Sequence, residues 1–247
     1  FEFKENIYGI DIFSNQKINY EINDKSRLIK IKPKNQGKYL ISNSELDNVT
    51  IDLSYDELSK LDSENNFDEA RYDKTFYTGC LNIYDSNMKN VSIKVTNSPC
   101  EDSVNFVRSK GYINSIEING SKFDSIDADF SEILFMNTLI LNSGNDCVDV
   151  SKGEYKFEIL NLQNCFDKGI SIGESSTVRI EEMSVSNSYI GLAIKDSSEV
   201  DINFYKLTGT EYCYASYRKK EEFGPSKLKI NQVNCNDSKT FSQPDSF

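Results

Sequence analysis

Short apolar stretches recur along this chain at a fixed interval of 22 residues. Val104 opens "VNFVRS", Ile126 "IDADFS", Val148 "VDVSKG", Ile170 "ISIGES", Leu192 "LAIKDS" and Tyr214 "YASYRK". Each stretch alternates apolar with polar, the period of a strand with one buried face. A second set keeps the same interval with one-residue slips: "INSIEING", "FMNTLILN", "KFEILNLQN", "VRIEEMSVSN" and "VDINFYKLTG". Most of these end on asparagine, and Asn97, Asn119, Asn142, Asn164 and Asn187 are spaced 22, 23, 22 and 23 apart. Five in register predict an asparagine ladder at a corner where Asn tolerates a left-handed backbone, with Asn119, Asn142 and Asn164 stacked and largely buried.

A period this long admits few folds. Leucine-rich repeats would show fixed leucines, which are absent, and helical repeats would show a 3.6-residue period where this chain shows two. The pattern predicts an all-β solenoid, a right-handed parallel β-helix of about 22-residue coils. Its strands would stack about 4.8 Å apart, with open edges confined to the two ends. "LNIYDSNMKNVSIKV" (81–95) resembles "LISNSELDNVTIDL" (40–53) in pattern, so the coils begin near residue 40. Residues 1–38 then form an N-terminal cap, and 39–247 the β-helix, with an acidic and aromatic loop inserted at 54–79. The polar tail "NDSKTFSQPDSF" is expected to fray.

Composition narrows the chemistry. The 247 residues hold 28 basic and 39 acidic side chains, a net charge of −11, which argues against nucleic acid as the main partner. It also argues against a polyanionic substrate unless a cation bridges the two. No apolar run reaches the length of a membrane span. The chain opens on Phe1 without an initiator Met, as a processed protein or an excised domain does. Histidine is absent, which excludes His-based acid–base catalysis, Ser–His and Cys–His nucleophiles and His-ligated zinc. Ser103, Ser125, Cys147, Gly169, Gly191, Cys213 and Cys235 form one column at intervals of 22, which reads the cysteines as small packing thiols. Cys213 and Cys235 are also spaced to bridge as column neighbours, and no CxxC pair suggests zinc.

If Val148 and Val150 point inward, Asp149 points out, with Asp127 and then Asn105 in the same column and Ser171 on the other side. Asp129 lies beside them, and Asp124, Asp146 and Lys168 form a parallel column. At roughly 5 Å and an effective dielectric near 20, each stacked carboxylate pair costs on the order of 3 kcal/mol before screening. Lys168, a shared proton or a cation such as calcium on Asp127, Asp129 and Asp149 would offset that.

These segments resemble polygalacturonase-type glycoside hydrolases, themselves right-handed β-helices, over roughly residues 120–197. "FDSID" places Asp124 on the Asp of that family's N-T-D-G segment. "GNDCV" follows its G-D-D-C, with Asp146 retained and Asn145 replacing the first Asp. "DKGISIG" puts Lys168 where the family has its His, and "GLAIKD" keeps Lys195 but sets Ala193 in place of the Arg. The run of "SGNDC", "DKGISIGE", "KDSS" and "YRKKEEFG" also resembles bacterial β-helix domains of surface and envelope proteins. Those sometimes stand beside spore-coat-H-type kinase-like domains, and the likeness implies no settled activity.

Two functions are therefore expected. One is an extracellular or cell-surface module that binds a glycan or a protein along its flat face, through Asp127, Asp149, Lys195, Arg218 and Lys219. The other is a polysaccharide lyase, hydrolase or epimerase in which Asp124, Asp146 and Lys168 carry the chemistry. The missing His and Arg favour binding.

Overall fold

The structure is a computed structural model that describes residues 1–56, 74–235 and 238–243. Among these residues all regular structure is strand, stacked as a solenoid of about nine turns. No described helix is long and apolar enough to cross a membrane. The chain opens with two antiparallel hairpins, β1 (Phe3–Ile7) with β2 (Ile10–Ser14) and β3 (Tyr20–Asn23) with β4 (Leu28–Ile31). The coils follow as β5 (Tyr39–Ser42), β6 (Glu45–Asp47), β7 (Thr50–Ser54), β8 (Gly79–Tyr84), β9 (Asn87–Ser98), β10 (Asp102–Val107) and β11 (Lys110–Ser121). Next come β12 (Asp124–Asp129), β13 (Glu132–Ser143), β14 (Val148–Ser151), β15 (Glu154–Gly173) and β16 (Thr177–Lys195). The last are β17 (Glu199–Thr208), β18 (Tyr212–Tyr217), β19 (Lys227–Asn234) and β20 (Lys239–Ser242). Most of the inserted loop expected at 54–79, residues 57–73, lies outside the described residues.

One face of the solenoid, the first face, stacks β5, β8, β10, β12 and β14 in parallel, then the ends of β15 and β16, then β18 and β20. β2 joins this stack antiparallel to β5, and β4 runs parallel to β7, so the two hairpins supply the strands at the N-terminal end. Val104, Ile126, Val148, Ile170 and Leu192 pair one to the next and are buried inside. Each such side chain contributes about 1.5–3 kcal/mol relative to exposure. Across the core Phe106, Phe135 and Phe157 form an aromatic column, the last two stacked at 4.8 Å.

The asparagine ladder exists but stands outside the core. Asn142 Nδ2 donates to Asn119 Oδ1 at 3.0 Å, Asn164 to Asn142 at 2.8 Å and Asn187 to Asn164 at 3.0 Å, and all four residues are exposed. Asn142, Asn164 and Asn187 stand in the left-handed region, and their amides, with that of Asn119, bond to one another at an exposed corner. The backbone column also differs by one place from the expected one. Asn119 pairs with Thr96 and Leu141, so Gly120, at φ +81°, takes the left-handed position between Asn97 and Asn142. A second left-handed column, Asp85, Arg108, Phe130 and Lys152, turns the other corner, where Arg108 bonds Asp85 through two nitrogens at 2.7 and 2.8 Å.

The cysteines are not packing thiols. Cys80–Cys100, Cys147–Cys165 and Cys213–Cys235 are disulfides, and no cysteine is free. Inside one corner, the residue at the start of a first-face strand meets the residue 18 positions later that ends the same coil. Ser103 bonds Ser121 at 2.7 Å and Ser125 bonds Ser143 at 3.1 Å; one coil on, Cys147 and Cys165 close the same gap covalently. The 22-residue column shows which residues stack between coils and is blind to pairing within one. Cys235 also leaves the column expected for it. The last coil is longer, with Glu199 opposite Lys227 and Lys206 opposite Asn234, 28 residues apart, so Cys235 follows Lys206's partner. Within the tail expected to fray, Lys239–Ser242 adds β20 beside β18, while 236–237 and 244–247 lie outside the described residues.

Replacing Cys147 and Cys165 together by Ser should restore the Ser–Ser contact of the neighbouring coils at a cost of about 3 kcal/mol. Asn142→Ala, which breaks solvent-exposed amide bonds, should cost about 1 kcal/mol. Urea unfolding followed by circular dichroism measures both; an unchanged midpoint in the double Ser variant would remove the clasp from the account.

Candidate functional site on the first face

Three outward columns line the first face. The leading one holds Asp102, Asp124, Asp146 and Lys168; the middle one holds Asn82, Asn105, Asp127, Asp149, Ser171, Ala193 and Ala215; the trailing one includes Tyr84, Val107, Asp129, Ser151 and Gly173, with Lys195 and Tyr217 beyond. The parallel register and the two-residue pleat bring six carboxyl groups together here. It is not the solvated acidic surface that charge alone suggests. Asp102 and Asp146 are each 3% exposed, and Asp124, Asp127, Asp129 and Asp149 are half-buried.

The leading column is held by the backbone. Asp124 Oδ1 accepts the Asp146 N–H at 2.8 Å and the Asn145 amide at 2.7 Å. Asp146 Oδ1 accepts the Lys168 N–H at 3.0 Å, and Lys168 Nζ reaches both Asp146 oxygens at 3.2 and 3.3 Å and also pairs with Asp167. Asp124, Asp146 and Lys168, expected to carry the chemistry, thus spend their bonding capacity joining one coil to the next.

The middle column is less committed. Asn105 Nδ2 donates to Asp127 Oδ2 and to Asp102 Oδ2, each at 3.2 Å, while Asn105 Oδ1 is buried without a hydrogen-bond partner. Asp149 lies between Asp127 and Ser171 in register. Lys195 crosses Gly173, its Cε 3.5 Å from where a Cβ would stand, and its ammonium opposes the rise that burial imposes on the Asp149 pKa. Lys195 is only 6% exposed, yet among the described residues it has no ion pair and no side-chain hydrogen bond.

Burial is the main cause of the electrostatics. It pushes Asp102 and Asp124 up to about 7, the Asp102 charge adding to the effect on Asp124. Burial also takes Asp146 to about 7 against the pull of Lys168. Asp127 is raised well above the carboxylate range by burial and then by Asp102, Asp129 and Asp149. Asp129 and Asp149 are raised for the same first reason. Burial works against the charge of Lys168, but Asp146 and Asp167 outweigh it and hold its pKa above the lysine range. At neutral pH the face therefore stores protons. Among the described residues no three carboxylates converge on a metal position, so Asp127, Asp129 and Asp149 share a face without forming a cation cage.

Other groups frame the face. Tyr77 packs edge-on to Tyr84 at 5.2 Å and Phe1 lies 5.1 Å from Tyr77, forming an aromatic end. At the opposite end the Lys219 and Lys220 N–H groups donate to Asp196 Oδ1 at 2.7 and 2.9 Å, and Lys220 pairs with Glu174. Lys219 is exposed and only slightly opposes the burial-driven rise of the Asp149 pKa. Arg218 is exposed, its N–H bonded to Gln243. Asp102, Glu174 and Asp196 were not singled out from the sequence, although Asp102 stands 22 residues before Asp124 and extends that column. A concavity of about 650 Å³ lined by Lys110, Glu132, Glu154 and Arg179 lies round the corner and contains none of these groups.

Comparison of the chain with family models, with curated proteins and with solved structures gives no match. The polygalacturonase and bacterial-surface likenesses thus have no support beyond the shared solenoid architecture.

An acid whose pKa rises on folding binds more protons folded than unfolded, so stability falls as pH climbs from about 4 to about 7. Asp85 and Glu174, held below their usual range by Arg108 and Lys220, act in the opposite sense only below about pH 4. The melting temperature should peak near pH 4–5 and drop toward pH 8. The Asp127→Asn, Asp149→Asn double variant should flatten that slope and match or exceed the parent protein at pH 7. A parent melting temperature that rises from pH 5 to 8 would contradict the stored protons.

Proposed function

We propose that this chain is a module that binds a glycan along the first face of its solenoid, outside the cell or at its surface. The observation that carries the reading is Lys195, 6% exposed and without an ion pair or side-chain hydrogen bond among the described residues, set beside Asp149. Its stem is packed while its Nζ is not among the sealed, unsatisfied polar atoms, so a ligand lying on the face can reach the ammonium and accept its hydrogen bonds. A face of alternating carboxyl, amide and ammonium groups, with Tyr84 and Tyr217 in its trailing column, suits a sugar's hydroxyls and its apolar ring faces. Three disulfides support an oxidising compartment, in keeping with the likeness to surface and envelope β-helix domains.

One observation favours a second reading, a polysaccharide-acting enzyme. Carboxyl groups held protonated near neutrality are poised as general acids, and the Lys195 ammonium is placed to stabilise developing negative charge. In this reading the role falls to Asp127 and Asp149, and the support for that choice is that Asp124 and Asp146 accept the next coil's backbone N–H groups.

Titration calorimetry against a panel of oligosaccharides tests the binding reading. Lys195→Met and Asp149→Asn should each weaken binding about tenfold or more, equivalent to ~1.4 kcal/mol. Lys94→Met, which loses only the exposed Lys94–Glu117 pair, should bind as the parent does. No heat with any glycan would sink the proposal. Release of new reducing ends or unsaturated products, lost in Asp149→Asn, would establish the enzyme.

A further inference from the structure

The exposed corner that carries the asparagine ladder also carries aromatic rings. Phe166 and Tyr189 directly follow the paired residues Cys165 and Ser188, so they hold the same place on neighbouring coils. Phe166 is 79% exposed and Tyr189 46%, in contrast to the buried phenylalanine column of the core. Tyr189 rests edge-on against Tyr212 at 5.5 Å, which steadies its ring. Single exposed apolar residues are ordinary, but two in file beside a concavity mark a contact surface. One coil before Phe166 the same place belongs to Gly144, which follows Ser143, the partner of Cys165. A Cβ there would stand 2.0 Å from the Lys122 carbonyl oxygen, so the space beside the Phe166 ring stays clear of side chains.

Between ring and ladder lies a concavity of about 460 Å³, lined by Gly144, Phe166, Asn142, Asn164 and Asn187 above small residues. None of its lining residues carries a charge, although the chain holds 28 basic and 39 acidic side chains. The ladder fixes the amides. Asn142 and Asn164 each donate one N–H to the ladder and accept one, which leaves each a second N–H and a second lone pair. Beyond Asn187 the column passes to Gly209, which has no amide to continue it.

We propose that this corner is a binding site for an uncharged glycan, separate from the first face. Exposed rings beside uncharged, pre-oriented amides suit a sugar, whose C–H face is apolar and whose edge carries hydroxyl donors and acceptors. Amides recur with every coil from Asn142 to Asn187 and rings on two, so successive sugars of one chain meet similar partners. A charged ligand finds no counter-charge in the concavity. An added peptide strand finds no open edge, because the Lys122 and Gly144 N–H groups already bond the Ser98 and Ser121 carbonyls at 2.9 Å. Holding the amides in the ladder beforehand lowers the ordering cost of binding. None of the residues assigned to the first face lines this concavity, so the proposal does not rest on that reading.

The chain has no tryptophan, so Tyr189→Trp sets a single fluorescent reporter at the corner. Its emission is titrated with cellohexaose, xylohexaose, mannohexaose, N-acetylchitohexaose and an oligogalacturonate. At least one uncharged chain should shift the emission saturably, with an affinity that changes less than about twofold between low and high salt. Adding Phe166→Ala, at an exposed position that leaves the core intact, should weaken binding about tenfold or more, and Phe166→Tyr should preserve it. Lys195→Met, which weakens the first face, should leave the titration unchanged. No shift with any uncharged chain, or an affinity that Phe166→Ala does not alter, overturns the proposal. Tighter binding of the oligogalacturonate than of every uncharged chain overturns the uncharged assignment. An equal loss in Lys195→Met overturns the separate site. Self-association of the parent chain in sedimentation, abolished by Phe166→Ala, gives the corner to a second copy and overturns the glycan assignment.

Discussion

In a parallel coil stack every side chain has a counterpart about 4.8 Å away on each neighbouring strand, and the backbone hydrogen bonds forbid either from sliding off. That constraint organises the whole molecule. Where the repeated residue is Val, Ile or Leu the stack is the core, with Val104, Ile126, Val148, Ile170 and Leu192 in file. Where it is Asn the stack is a ladder, and where it is Ser it is a clasp. Where it is Asp the same geometry forces like charges together, and the fold must answer for them.

It answers in two ways. Asp124 and Asp146 become acceptors for the N–H groups that start the next coil's strand, so their acidity is put to structural use. Lys168 continues that column and supplies an opposite charge. Asp127 and Asp149 receive no such compensation beyond one amide from Asn105 and the nearby Lys195 ammonium, and burial keeps them protonated far more readily than free carboxyls. The distinction separates groups that build the face from groups able to act on something else. It follows from which oxygens are already occupied, not from which residues are acidic.

The sequence made the solenoid legible because its signal, the 22-residue period, is the same quantity that the backbone ladder enforces. Lys168, Asp124 and Asp146 were found together for the same reason. Features that lie across a coil escaped. Cys147 and Cys165 are 18 residues apart, an interval that no stacking column contains, and the long last coil moved Cys235 out of Cys213's file. Asn119 does join the side-chain ladder, but the backbone column passes through Gly120 instead, because φ and not side-chain identity decides that position. The occupancy of each carboxylate is equally invisible in one dimension. Asp124 and Asp127 differ by three positions in the sequence, and only the neighbouring coil shows that one is engaged by the backbone and the other is not.

The corner clasps also govern how the molecule would respond to tension. Cys80–Cys100 and Cys147–Cys165 close loops within single coils and do not tie one coil to another. Pulled along its axis, such a solenoid can shed coils one by one, as its nearest-neighbour contacts dictate. Each clasped coil, however, keeps its loop out of the load path. The 18-residue loop of Cys147–Cys165 withholds about 60 Å of contour length that an unclasped coil would release. The molecule would lengthen in unequal steps, short where cysteine closes the corner and long where serine does.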